Sequence, residues 1–373
     1  MRNLNDVVLV DRHVGLRVDL NVPIEDGVVM NDERLSATLP TILEILKSTK
    51  RLTIISHLGR PKEGEYEKEL SLRPIVDWFE KRLNLEIPLV KTLDQLPDGI
   101  SFLENIRMFP GESSNDDSLS EMLATKFDVY IMDAFATAHR KSSSTYGTIM
   151  KSNNVAAGLL FSKEIQNLSH VLDGSKKLLS IVGGSKVSTK LEVISNLLLK
   201  SQSILVGGGI ANTFLKAKGF DVGNSLAEDD MIAAAKKMLS TGKIILPEKV
   251  CISSSTQSDD FEFVPVDCVP KDKMILDIEL NLNELAKNSF DAILWNGPLG
   301  IFEIKNFETG TKDLVKYLIQ SKLKVVAGGG ETIFALTKYS HKENFHYVST
   351  AGGAFLEFIS GKKLPSVAAL ELK

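Results

Sequence analysis

The sequence predicts an α/β protein of two doubly wound, Rossmann-like domains, each with a mainly parallel sheet, joined by a hinge helix. Three observations lead there. The 373 residues are 43% hydrophobic, enough to bury two separate cores. Short runs that are apolar on both faces alternate with amphipathic stretches, the pattern of strands covered by helices on either side. All ten arginines lie at or before position 140, whereas the 34 lysines run through the whole length, so the two halves differ chemically.

In chain order, apolar runs bounded by turn residues predict strands at 52–56, 87–90, 100–103 and 129–132, with helical periodicity at 72–82 and 119–126. The polar segment 141–154 follows, where the arginines stop, and then one helix from about 162 to 172 that bridges the halves. In the second half, 178–182, 203–206, 244–246, 292–295, 325–327 and 346–349 read as strands, and 191–200, 231–239 and 314–321 as helices.

Four arginines, Arg17, Arg60, Arg107 and Arg140, stand where a strand-like run gives way to a loop. Guanidinium is a planar fork that grips carboxylate or phosphate bidentately, so a shared context points to a small anionic ligand, although any single one reads as a surface charge. The second half repeats a strand, three glycines and a helix at 203–209 and 325–330, and Ile-Val-Gly-Gly-Ser-Lys at 181–186 is a third such turn. Glycines there let backbone N–H groups approach a phosphate at a helix N-terminus, or simply allow tight strand-to-helix packing. The turn 183–190 is read as opening a helix, which would place Lys186 and Lys190 one turn apart on one face, suited to a triphosphate.

Charge and composition exclude other classes. A net charge of −4 and a pI near 6.0 give no dominant basic face for nucleic acid or membrane. No segment reaches the roughly 18 apolar residues of a membrane span, and Cys251 and Cys268 lack metal-ligand spacing, so a soluble, cytoplasmic protein with reduced thiols is expected. The GxxxxGK[ST], His-Arg-Asp and G-x-S-x-G signatures do not occur.

Seven motifs in order, 17–23, 56–61, 103–107, 133–140, 183–190, 295–303 and 328–332, make the chain resemble the phosphoglycerate kinase family over nearly its entire length. The resemblance implies a 3-phosphoglycerate-binding domain at 1–161 with a C-terminal segment, 360–373, crossing back to it. It further implies an interdomain helix at 162–173 and a nucleotide-binding domain at 174–359, facing the first across a cleft, in a monomer. Asp19, Asn21, Arg34, His57, Leu58, Gly59, Arg60, Arg107 and Arg140 would surround 3-phosphoglycerate or 1,3-bisphosphoglycerate. Lys190, Asn296, Pro298, Glu303, Gly329, Gly330, Glu331 and Thr332 would take ATP or ADP, and Glu331 would face the nucleotide's Mg²⁺. Arg34, Lys186 and Lys190 would carry the catalysis. The residues alone give only an anion site in one half and a phosphate site in the other. A relative that binds without turnover, or another two-domain transferase, are the competing classes.

The implied chemistry explains the lack of an evident general base. Its nucleophile in one direction and leaving group in the other is a carboxylate with a pKa near ~4, already ionised at neutral pH. His57 and His139 are therefore expected to donate hydrogen bonds or support loops. The chain departs from the family pattern at Met108, Ala136, Glu331 and Ala351. A positive φ at Ala136 or Ala351 would cost about 1–2 kcal/mol, and a negative one close to nothing.

Overall fold

The computed structural model describes the backbone of residues 1–373 and every side chain except those at 283, 284 and 286. By its contacts the chain divides into two units, 1–166 with 363–373, and 167–362.

In the first unit the strands are β1 (Val14–Arg17), β2 (Leu52–Ile55), β3 (Leu89–Val90), β4 (Ile100–Leu103), β5 (Val129–Met132) and β6 (Val155–Ala157). They form one parallel sheet in the order β3-β4-β2-β1-β5-β6. Every residue of β1, β2 and β5 is buried, as a sheet covered on both faces requires. The helices between them are α1 (Glu33–Leu46), α2 (Arg73–Leu83) and α3 (Asp117–Lys126). Local chemistry sets their ends. Proline stands in the first turn of α2, and Asn84 closes it in the left-handed conformation. Asp116 caps α3 by accepting from Ser118 N (2.8 Å) and Leu119 N (3.1 Å). The helix Pro365–Glu371 completes this unit, with Ser366 Oγ donating to Thr145 O (2.7 Å).

Helix α4 (Leu159–Gly174) leads into the second unit. Its parallel sheet contains β7 (Leu178–Val182), β8 (Ser203–Val206), β9 (Ile244–Ile245), β13 (Ala292–Asn296), β14 (Lys324–Gly328) and β15 (Tyr347–Ser349), ordered β9-β8-β7-β13-β14-β15. Three strands inserted between β9 and β13, namely β10 (Lys249–Ser253), β11 (Phe261–Pro265) and β12 (Met274–Ile278), make a separate antiparallel sheet. The helices are α5 (Leu191–Lys200), α6 (Gly208–Lys218), α7 (Ile232–Leu239), α8 (Thr309–Gln320) and α9 (Gly330–Tyr339), followed by a short helix, Gly353–Ile359. Trp295, Leu299 and Phe302 anchor its core.

In each parallel sheet the strand order reverses beside the first strand. The chain runs outward from β1 to one side and returns to place β5 on the other, and β7 stands likewise between β8 and β13. Such switch points open a crevice beyond the carboxyl ends of the strands. Arg17 ends β1, and Asn296 ends β13.

Several elements were absent from the sequence reading or only touched by it. β1, the centre of its sheet, is short and carries Gly15 and Arg17, and was noted only as a strand-like run ending at Arg17; α1, which runs unbroken through Pro40, was not read. The antiparallel sheet lies in a stretch whose strand β11 is mostly exposed, without the doubly apolar signature of the others.

Asp133, just beyond β5, is fully buried and accepts from Phe161 N (2.9 Å) in the first turn of α4. Burial pushes its carboxyl up to about 7. A pKa raised by folding contributes stability that is complete below the unfolded value near ~4 and is lost as pH rises through the folded one. The melting temperature of Asp133→Asn should therefore depend less on pH between 5 and 8 than that of the native chain. An unchanged slope would show this carboxyl to be ionised throughout.

Candidate active site

In the first unit, Arg17 is 2% exposed and spends its guanidinium inward. Nε donates to Ser144 Oγ (2.8 Å), another nitrogen to Val18 O, and Nη2 to His57 Nδ1 (3.2 Å). A guanidinium only donates, so Nδ1 accepts and the proton of His57 sits on Nε2, which faces Asp19 Oδ1 at 3.9 Å. Burial, and then the charges of Arg17, Arg107, Arg140 and Arg34, hold His57 well below its ordinary pKa. His57 is thus a neutral support for the loops, not an acid.

Asp19 Oδ2 accepts from Arg34 Nη1 at 2.6 Å, and that nitrogen also reaches Asn21 O (3.4 Å). Asn21 Oδ1 accepts from Gly59 N (2.9 Å), Gly59 O accepts from Arg107, and Asn105 Oδ1 takes the amide of Leu58 (3.2 Å). Asp19, Asn21, Arg34, Gly59 and Arg107 therefore form one network, whereas Arg60 and Arg140 present exposed cations. A cavity of about 340 Å³ is walled by Arg17, Arg107, Arg140 and Lys141, with Glu112 among them; the other expected ligands are not part of its wall. Burial and repulsion from Arg140 and Arg17 lower Arg107 to about 10. That repulsion is a cost which a bound anion would relieve.

Glu112 and Lys141 were not among the expected ligands, and Arg17 was read as one of four anion-site arginines without being in the set that the resemblance implies. Arg17 opens the motif 17–23, which was a usable signal. Glu112 accepts from Ser142 Oγ (2.9 Å), Ser144 Oγ (2.6 Å) and Ser144 N (2.9 Å), and so shapes the loop beyond Arg140. Nothing in its polar sequence context announces this.

In the second unit the turns after β7, β8 and β13 pack backbone against backbone. A Cβ on Gly183 would overlap Pro298 O, and one on Gly297 would overlap Gly183 O. Close packing thus accounts for these two glycines. A Cβ on Gly330, in contrast, would meet nothing within 4 Å. Gly330 opens α9, so this helix start is not crowded by packing, and its first N–H groups have no acceptor within the helix.

One expectation is corrected. Residues 186–190 are not helical; α5 begins at Leu191, with Lys190 at its N-cap. Val187 is fully buried, Lys190 N bonds Val187 O (2.9 Å), and Thr189 Oγ1 donates to Lys186 O (2.8 Å), closing a turn in place of a helix. Lys186 is exposed on this loop, while Lys190 turns inward and donates to Asn296 Oδ1. Burial lowers the pKa of Lys190, and Glu331 opposes the shift. Asn296 Nδ2 donates to Gly328 O (2.8 Å), so both ends of this amide are engaged. Thr332 Oγ1 accepts from Gly297 N (2.7 Å).

Beside these groups lies a cavity of about 550 Å³. Pro298, Glu303 and Glu331 line it among the expected residues, while Lys190, Asn296, Gly329, Gly330 and Thr332 lie outside its wall. Asn212, Leu226, Met274, Leu276 and Asp277 also line it, without having been foreseen. Asp277 is buried, accepts from Gly310 N (2.8 Å) in the first turn of α8, and is pushed up to about 7 by burial. Neither Ala136 nor Ala351 has a positive φ, so both departures are free of backbone strain.

A guanidinium-walled cavity on one doubly wound unit, and a lysine and helix start beside a larger cavity on the other, suit a phosphotransferase. The chain belongs to the phosphoglycerate kinase family, whose model matches residues 4–362. It is 45% identical to the phosphoglycerate kinase of Francisella tularensis subsp. novicida, over 99% of this chain and 98% of the relative. It is 43% identical to that of Desulfovibrio desulfuricans over the same shares. The solved phosphoglycerate kinase of Coxiella burnetii superposes with a TM-score of 0.95 at 39% identity, covering 99% of this chain and 98% of the other. That of Pyrococcus horikoshii gives 0.80 at 28%, covering 100% and 99%.

Replacing Asn296 by Leu strands both the Lys190 ammonium and Gly328 O. It should cost about 1–3 kcal/mol of stability and weaken ADP binding, measured by denaturant titration and calorimetry. Native values for both would show the two bonds to be dispensable.

Proposed function

We propose that the chain transfers a phosphoryl group reversibly between 1,3-bisphosphoglycerate and ADP, giving 3-phosphoglycerate and ATP, in glycolysis and gluconeogenesis. Family membership supports the reaction. The observation that carries the site assignment is the convergence of Arg17, Arg107 and Arg140 on one cavity of the first unit. These three, together with Arg34, Asp19, Asn21, His57, Leu58, Gly59 and Arg60 outside that wall, would hold the phosphoglycerate. Lys190, Asn296, Pro298, Glu303 and the turn 329–332 of the second unit would hold the nucleotide, with the base toward the apolar wall.

The phosphoglycerate carboxylate needs no base to ionise it, so the protein's work is positioning and charge neutralisation. Arg34 would orient the acceptor oxygen, held by Asp19 (2.6 Å), while Lys186 and Lys190 would neutralise charge on the transferred group. Transfer requires the two ligand sets to meet, which we assign to closure about α4; closure also keeps water from the phosphoryl group.

Among the described residues no group of three or more His, Cys, Asp or Glu side chains could hold a metal. Glu331, an exposed carboxylate on the cavity wall, fits a Mg²⁺ that arrives on the nucleotide and keeps most of its water. When bound, that ion would offset phosphate charge. We further assign the enzyme to the cytoplasm as a monomer, in keeping with two free thiols. No helix among the described residues is long and apolar enough to cross a membrane.

A coupled assay for ATP-dependent phosphorylation of 3-phosphoglycerate tests the reading, and absence of turnover would overturn it. Arg34→Lys keeps the charge but loses the fork, so kcat should fall by at least about tenfold with substrate affinity largely retained. Turnover unchanged at saturation would remove Arg34 from its role. Glu331→Ala should raise the Mg²⁺ concentration needed for half-maximal rate, whereas Glu331→Asp should tighten MgADP binding or leave it unchanged. A native Mg²⁺ dependence in Glu331→Ala would make this residue a helix N-terminal acid only.

A further inference from the structure

The loop that carries Lys186 has no helix of its own to hold it, yet it is gripped from outside. Glu228, 38 residues beyond Lys190, turns its carboxylate onto this loop: Oε2 accepts from Ser188 N (2.9 Å) and Oε1 from Ser188 Oγ (2.5 Å). Burial pulls its pKa up, but the bonds from Ser188 and the Val187 amide, with a smaller contribution from the charge of Lys186, outweigh it and keep the carboxyl below its ordinary value. One charged side chain thus satisfies two donors in a turn that lacks regular structure.

The segment bearing Glu228 is itself tied down on two sides. Asn224 N donates to Lys273 O (2.8 Å), and Ser225 Oγ accepts from Ile275 N (2.8 Å), which fixes it to β12. Asn212 Nδ2 donates to Leu226 O (3.3 Å), and Thr213 Oγ1 accepts from Glu228 N (3.1 Å), which fixes it to α6. Asn224 and Leu226 line the large cavity. A strap therefore runs from the apolar wall of that cavity to the loop of Lys186.

We infer that Glu228 is a positioning residue for phosphoryl transfer, holding the 185–190 loop so that Lys186 meets the transferred group. The inference rests on the reaction proposed above. Both carboxylate oxygens of Glu228 are given to Ser188, so it acts by removing alternative conformations of the loop, and its loss should slow turnover more than it weakens binding of the acceptor.

The test uses the full chain as Glu228→Ala, Glu228→Gln, Ser188→Ala and the Ser188→Ala/Glu228→Ala double variant, with ATP and 3-phosphoglycerate as substrates and melting temperature as the control on folding. Glu228→Ala should lower kcat about tenfold or more while KM for 3-phosphoglycerate stays within about twofold. Glu228→Gln keeps a carbonyl acceptor and should recover to within about threefold of native. Adding Ser188→Ala to Glu228→Ala should cost no more than about twofold further, because both remove one interaction. Native kcat in Glu228→Ala overturns the inference, as do losses in the two single variants that multiply in the double. A Gln variant as poor as the Ala variant overturns it too, since charge near Lys186 would then be the cause. If the native chain fails to phosphorylate 3-phosphoglycerate, the proposed reaction falls; if it turns over and Glu228→Ala does equally well, only the role of Glu228 falls.

Discussion

The second unit depends on how closely three βα turns approach one another. Parallel strands β7, β8 and β13 end together, and the chain leaving each must pass its neighbour at backbone contact distance. Only residues without a Cβ fit at Gly183 and Gly297. That contact places Lys190, Asn296 and Thr332 within reach of one another, so that one amide joins an ammonium on the β7 side to a carbonyl at the end of β14. The scaffold at this contact is main chain, and the side chains add charge to the shape it sets.

The first unit solves a different problem, the crowding of like charges. Arg17 is buried by giving its donors to a serine, a carbonyl and a neutral histidine, and it shares the cavity wall with Arg107 and Arg140. Buried polar groups survive when they are hydrogen-bonded, and here the bonding also fixes the tautomer of His57. Stability and ligand recognition make opposite demands on these cations. The network satisfies the inner ones and leaves the outer ones under mutual repulsion.

The strands most easily read from sequence were those buried on both faces, 129–132 and 178–182 among them, because nothing else yields four or five apolar residues between turns. β1 was visible only as a strand-like run before Arg17, without bounds, because it is four residues long, carries Gly15 and ends in a charged residue. The loop of Lys186 was misread as helix for a related reason. Its lysines and glycines suggest a phosphate-binding helix start, but one buried β-branched residue, Val187, decides the local conformation through tertiary packing. Asp19, Asn21, Gly59 and Arg107 were legible through motifs, and Arg34 only through the family resemblance. Asp277, Asn212 and Glu112 were not, since each is a single polar residue whose partners lie far away in sequence and meet it only in the fold.

The return of the chain to its first unit has a consequence for biosynthesis. Residues 363–373 belong with 1–166, whereas 167–362 form a contiguous unit. During synthesis from the N-terminus the second unit has all its sequence once residue 362 has emerged, but the first must wait for the last eleven residues, among them Ser366, whose hydroxyl satisfies Thr145 O. The half that is translated first is thus the half that is finished last. A ribosome stalled before residue 363 would leave a folded second unit attached to an incomplete first one, whose surface beneath the helix Pro365–Glu371 would lack its cover.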